Sequence, residues 1–88
     1  MTRRRVVVHG RVQGVYFRGS TLERAQQVGV NGWVRNRSDG TVEAVFEGSA
    51  VQVAEMVRYC REGPSWARVD RIEEFEETPE DLAGFGIR

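Results

Sequence analysis

Gly10-Arg11-Val12-Gln13-Gly14-Val15-Tyr16-Phe17-Arg18 joins a valine-rich strand to a helix, and its reading decides the rest of the fold. Two glycines bracket a short loop, the loop runs into the helix, and an arginine stands at the junction. A loop of this kind turns several backbone N–H groups toward one point. The helix N-terminus adds unpaired N–H groups and a partial positive charge. The arginine supplies a planar fork of donors matched to phosphate or carboxylate oxygens. Together they describe an anion site, and phosphate is the anion they fit best.

The chain on either side alternates strands and helices. Upstream, Arg4 to Gly10 is rich in valine and reads as a central strand. Downstream, Leu22, Ala25 and Val28 recur at helical spacing, and Gly29 can cap the helix end. Ser20 and Glu23 match a capping box, which starts the helix near Ser20. Gly32 to Arg37 forms a second strand, and Asp39-Gly40 is a two-residue hairpin signal. Thr41 to Gly48 then alternates, with Val42, Ala44 and Phe46 on one face and Glu43 and Glu47 on the other. Ala50, Val53, Ala54, Val57 and Cys60 make an amphipathic second helix, ended by Gly63-Pro64.

Val69, Ile72 and Phe75 are spaced by three, which suits a helix as well as a strand. The nearby Pro64 and the short pair Phe85 and Ile87 favour an irregular strand followed by a turn at Thr78-Pro79. The order β-α-β-β-α-β, with a short strand at the end, is an α+β ferredoxin-like plait. Two helices lie on one face of an antiparallel sheet.

Eighty-eight residues make one domain, spanning 1–88, with a modest core. Charge is balanced at 13 basic and 13 acidic residues, and every basic residue is arginine. The balance is uneven along the chain. Residues 1–37 hold eight arginines against Glu23 alone, while residues 70–81 hold seven carboxylates against Arg71. The basic part contains the anion loop, so it can steer a small anion. The plainer reading is two solvated surfaces that partly pair in the fold.

The single cysteine, Cys60, excludes an internal disulfide and suits a reducing compartment. Val6-Val7-Val8 is too short for a signal-peptide core, and no stretch has the length of a membrane span. The expectation is a cytoplasmic monomer with no membrane partner.

Arg18 is the first candidate for chemistry. A positive charge at a helix start opposes the helix dipole, a placement that makes sense if an anion sits between them. Gly14 is expected to supply a positive φ. Asn36 is the second candidate. It follows Val34 on the same strand face, where the apolar pattern stops, and its amide can both accept from water and donate to an oxyanion. From position alone, a turn-initiating asparagine beside Asp39-Gly40 is the plainer reading.

His9, the only histidine, reads as structural. One histidine, one cysteine and an acidic run without ligand spacing give no metal site, and no cofactor is expected. Ser20, Thr21, Ser38 and Ser65 have no histidine or lysine partner in the pattern, which argues against a covalent mechanism.

The stretch from Gly10 to Arg18 closely resembles the signature of the acylphosphatases. Gly32-Trp33-Val34-Arg35-Asn36, with Asp39-Gly40-Thr41-Val42-Glu43 after it, is similar to that family's other characteristic segment. Gly63-Pro64, Ala67-Arg68-Val69 and the ending Gly84-Phe85-Gly86-Ile87-Arg88 are similar to weaker family features, in the same order. The resemblance implies the ferredoxin-like fold and a helix start nearer Phe17 or Arg18 than Ser20, and we take the earlier start.

It also implies hydrolysis of a mixed carboxylic–phosphoric anhydride to carboxylate and inorganic phosphate. Gln13, Gly14, Val15, Tyr16 and Phe17 match the family's phosphate-cradling loop and would act through backbone N–H groups. Arg18 matches the phosphate-binding arginine, and Asn36 the residue that orients the attacking water. His9 carries no family role. Inorganic phosphate and sulfate are expected as competitive ligands.

Two other classes share the fold. A nucleic-acid-binding plait is disfavoured, since the chain lacks an aromatic-rich RNA-binding motif and has zero net charge. A noncatalytic phosphate-binding or interaction domain, like the acylphosphatase-like segment of larger hydrogenase-maturation proteins, is disfavoured by the presence of both Arg18 and Asn36.

Overall fold

The computed structural model describes residues 1–88. Seven elements follow in order: β1 (Thr2–Arg11), α1 (Phe17–Val28), β2 (Asn31–Asn36), β3 (Val42–Gly48), α2 (Ala50–Glu62), β4 (Arg68–Glu77) and β5 (Phe85–Ile87). The strands form one sheet in the order β4-β1-β3-β2-β5. The first four pair antiparallel, giving the ferredoxin-like arrangement, but β5 runs parallel to β2, so the sheet is mixed. α1 packs on α2, β2 and β5, while α2 packs on β1, β3 and β4.

Between helices and sheet lies the core. Val6 and Val8 of β1, Val34 of β2, and Val42, Ala44 and Phe46 of β3 are all fully buried. Each contributes on the order of 1.5–3 kcal/mol if a Val or Phe, relative to exposure. Phe46 stacks on Phe85 with centroids 5.7 Å apart, which fastens the short β5 to the sheet.

α1 begins at Phe17, and Tyr16 precedes it in a left-handed conformation at φ 62°. The Ser20–Glu23 capping box therefore does not form. Ser20 lies inside the helix, and its hydroxyl meets that of Tyr59. The buried stripe is Phe17, Thr21 and Ala25, spaced by four, with Leu22 only half-buried.

A capping box does exist at α2. The Ser49 hydroxyl accepts from the Gln52 N–H at 3.2 Å, and the Gln52 amide oxygen accepts from the Ser49 N–H at 3.0 Å. α2 buries Val53, Met56, Val57 and Cys60, whereas Ala50 and Ala54 face solvent. The turn after β2 has a three-residue tip rather than two: Arg37 N–H donates to Thr41, and Gly40 N–H to Arg37, with Gly40 at φ 91°.

The spacing of three in β4 comes from a bulge. His9 pairs with Arg71 but Gly10 pairs with Val69, so Asp70 is an extra residue on β4. The extra residue returns Val69 to the core face beside Ile72. Phe75 falls on the opposite face, under the Arg5 guanidinium at 4.3 Å. Gly10 allows the close approach. A Cβ there would lie 2.1 Å from the Arg68 carbonyl oxygen, at a φ of 132°.

The basic and acidic stretches meet on β1 and β4, so much of their charge pairs across strands, as the plainer reading expects. Arg3 bonds Glu47 and Glu77 at 2.9 Å each, and Arg5 bonds Glu77 at 2.9 Å and Glu43 at 3.2 Å. Glu43 and Glu47 occupy the outer sheet face, yet both are buried, because arginine stems and the segment after β4 cover them. Glu47 also accepts the N–H groups of Glu80, at 2.7 Å, and Leu82, at 2.9 Å.

Burial pushes the Glu47 carboxyl up, but those N–H groups and Arg3 outweigh it, and its pKa lies below the ordinary value. Arg5 and then Arg3 hold Glu77 low as well. A folded-state pKa below the unfolded value gives stability that is present above about pH 4.3 and lost as pH falls through the folded value. Urea midpoints should therefore hold from pH 7 to 5 and drop steeply between pH 4 and 3. Glu47→Gln should be weaker at pH 7 and show a shallower acid loss. A wild-type midpoint unchanged at pH 3 would contradict this role.

Candidate active site

The loop between β1 and α1 follows from three backbone features. Gly14 has φ 74° and Tyr16 φ 62°, the alternation that points successive N–H groups into one concavity. A Cβ on Gly14 would meet nothing within 4 Å, so glycine is required there for its φ and not for space. No backbone carbonyl takes an N–H from Gln13 through Gly19, and the first helical bond runs from Ser20 to Tyr16. The loop amides and the first turn of α1 are thus free donors. No acidic residue in that turn offsets them.

Gln13 anchors the loop from outside. Its side-chain amide donates to the carbonyls of Arg37 at 2.8 Å and Thr41 at 2.9 Å, the two ends of the β2–β3 turn. Those bonds fix the loop against the strand that carries Asn36. Val15 and Phe17 are buried in the core and pin the loop from below. The Tyr16 ring folds across Gly19, where a Cβ would lie 2.2 Å from the ring. The nearby Glu23 carboxylate raises the Tyr16 phenol pKa.

A hollow of about 280 Å³ opens over this loop, lined by Val12, Gly14, Tyr16, Phe17, Arg18, Gly19, Asn36 and Ile87. It gathers Gly14, Tyr16, Phe17, Arg18 and Asn36 of the expected site. The side chains of Gln13 and Val15 do not line it. Val12, Gly19 and Ile87 were not expected; Ile87 arrives from the far end of the chain through β5 pairing, which no local pattern reveals.

Arg18 is exposed, and no carboxylate lies within 4 Å of it. Among the eight N-terminal arginines, Arg3, Arg4, Arg5, Arg35 and Arg37 are paired with carboxylates, and Arg24 lies over the Tyr59 ring. Arg11 and Arg18 have no such partner. The Asn36 side-chain oxygen is buried with no hydrogen-bond partner. An orphaned buried acceptor costs on the order of 1–3 kcal/mol, and a hydrogen bond from a bound water would remove that cost.

His9 sits on the opposite sheet face, with Nε2 at 2.7 Å from a Glu73 carboxylate oxygen. A wider recess of about 500 Å³ beside α2 also contains arginines, but Arg4 and Arg61 there are paired with Glu74. No three His, Cys, Asp or Glu side chains converge. Neither helix is long and apolar enough to cross a membrane.

Comparison with known proteins agrees with the residue pattern. The Acylphosphatase family profile matches residues 4–87. An acylphosphatase of Rubrobacter xylanophilus is 60% identical over 85 residues, covering 96% of this chain and 77% of the relative. One of Haloarcula marismortui is 56% identical over 87 residues, covering 99% and 96%. The crystal structure of acylphosphatase from Bacillus subtilis superposes with a TM-score of 0.96 at 35% identity, covering 100% of this chain and 99% of that one. The fold, the loop and the full-length likeness therefore agree: the chain belongs to the acylphosphatase family and is a hydrolase of acyl phosphates.

Proposed function

We propose that the N–H groups from Gln13 to Phe17 and the Arg18 guanidinium hold the phosphoryl end of the acyl phosphate, and that Asn36 directs the attacking water. The observation that carries this reading is the orphaned Asn36 oxygen beside an unpaired arginine in one hollow. Phosphoryl transfer needs positioning and charge stabilisation more than covalent chemistry. The water oxygen attacks phosphorus, the bond from phosphorus to the acyl oxygen breaks, and the carboxylate leaves with the bonding pair. A carboxylate is a good leaving group and needs little acid assistance.

The only titratable side chains lining the hollow are Tyr16 and Arg18, so the proton of the water passes to a phosphoryl oxygen of the substrate itself. The donors around the phosphoryl group do the work a metal ion does elsewhere. We read the chain as a cytoplasmic monomer. Its one thiol, Cys60, is buried and pushed up to about 12, and charged side chains cover the outer sheet face.

Phosphate release from benzoyl phosphate tests the activity. The rate should survive dialysis against a chelator; a large loss restored by magnesium would contradict the mechanism. Inorganic phosphate and sulfate should compete with substrate at roughly 10 mM, equivalent to about −2.7 kcal/mol. Both should also raise the melting temperature, because they bind the native state alone. No competition at that concentration would remove the loop from the site.

A further inference from the structure

We propose that a second trough beside the phosphoryl hollow receives the acyl group of the substrate, and that Trp66 gives it a preference for aromatic acyl groups. The proposal rests on the phosphoryl site assigned above. The trough has a volume of about 410 Å³ and is lined by Arg11, Gly14, Val15, Tyr16 and Trp66. It shares Gly14 and Tyr16 with the phosphoryl hollow and does not reach Asn36. In-line displacement sends the leaving group away from the attacking water. With Asn36 on the water side, the acyl group leaves over the Gly14–Tyr16 rim and into this trough.

The chain spends an aromatic residue there without burying it. Trp66 is 81% exposed and Tyr16 65% exposed, and neither belongs to the core. Trp66 stands on the turn between α2 and β4, which the bond from Ala67 N–H to the Pro64 carbonyl closes. Ala67 and Val69 pack inward from that turn, leaving the indole outward. A flat acyl group stacked on the indole would lose water-exposed apolar surface from both partners. A two-carbon acyl group is too short to gain much from it.

The test compares kcat/KM for benzoyl phosphate and acetyl phosphate in the wild type, Trp66→Ala and Trp66→Phe. Comparing this ratio between variants cancels the intrinsic reactivity of the two anhydrides. Trp66→Ala should lower the benzoyl-to-acetyl ratio by about 5–10-fold, the scale of one aromatic contact. Trp66→Phe should restore most of it. Acetyl phosphate turnover and the inhibition constant of phosphate should stay within about twofold, since the indole is exposed and outside the phosphoryl hollow. An unchanged ratio, or an equal fall for both substrates, overturns the aromatic subsite while leaving the phosphoryl site intact. A wild type that hydrolyses neither compound overturns both.

Discussion

Arg18→Ala should lower kcat/KM for an acyl phosphate by roughly 10³-fold or more, the scale on which an arginine stabilises a transferring phosphoryl group. The guanidinium has no carboxylate within 4 Å, so its charge is uncommitted in the free protein. In the proposed site its contact with the phosphoryl oxygens would begin in the ground state and strengthen as charge shifts in the transition state. Both affinity for inorganic phosphate and kcat should therefore fall. Arg18→Lys should be nearly as damaging, because lysine keeps the charge and loses the planar fork. The side chain is exposed, so the variants should unfold at the wild-type urea concentration. A well-folded Arg18→Ala enzyme of normal activity would place the phosphoryl contact on another residue, with Arg11, also unpaired and lining the adjoining trough, the alternative.

Asn36→Ala should fail differently. The amide is assigned to the water and barely touches bound phosphate. Phosphate affinity should stay within about twofold while kcat falls by roughly 10²–10³, the loss seen when one preorganised group is removed. Removing an unpaired buried oxygen should also leave stability equal or slightly higher, since no existing hydrogen bond is broken. That pairing of lost rate with retained stability is the signature of a group kept for function. An equal loss of phosphate affinity would move Asn36 from the water to the phosphoryl group.

Much of this arrangement was legible because it is local. The valines of β1, the alternation of β3 and the positive φ of Gly14 each follow from a few neighbouring residues. Arg18 stands out in the sequence by opposing the helix dipole, and in the fold it lines the hollow without a carboxylate partner. What was not legible depends on contacts between distant segments. The Ser20–Glu23 box has the right spacing, but the left-handed Tyr16 starts α1 one turn earlier and leaves Ser20 to meet Tyr59 instead. The spacing of Val69, Ile72 and Phe75 defied both helix and strand because the bulge at Asp70 exists only opposite Gly10.

Glu43 and Glu47 alternate as surface residues should, yet arginines more than thirty positions away in Arg3 and Arg5 bury them. The site divides in the same way. Its loop could be read from one stretch of chain, whereas the Gln13 anchor to Arg37 and Thr41, the wall at Ile87 and the Trp66 trough all arise from tertiary contacts.

Titration of the ¹⁵N-labelled protein with inorganic phosphate, followed amide by amide, tests the phosphoryl site most directly. The largest saturable shifts should fall on the N–H groups of Gln13 through Gly19 and on the Arg18 Nε–H. The amides around Arg4, Arg58 and Arg61 should stay still, and Arg18→Ala should weaken the response. Shifts centred on the recess beside α2, or no saturable response in the loop at tens of millimolar, on the order of −2 kcal/mol, would contradict it.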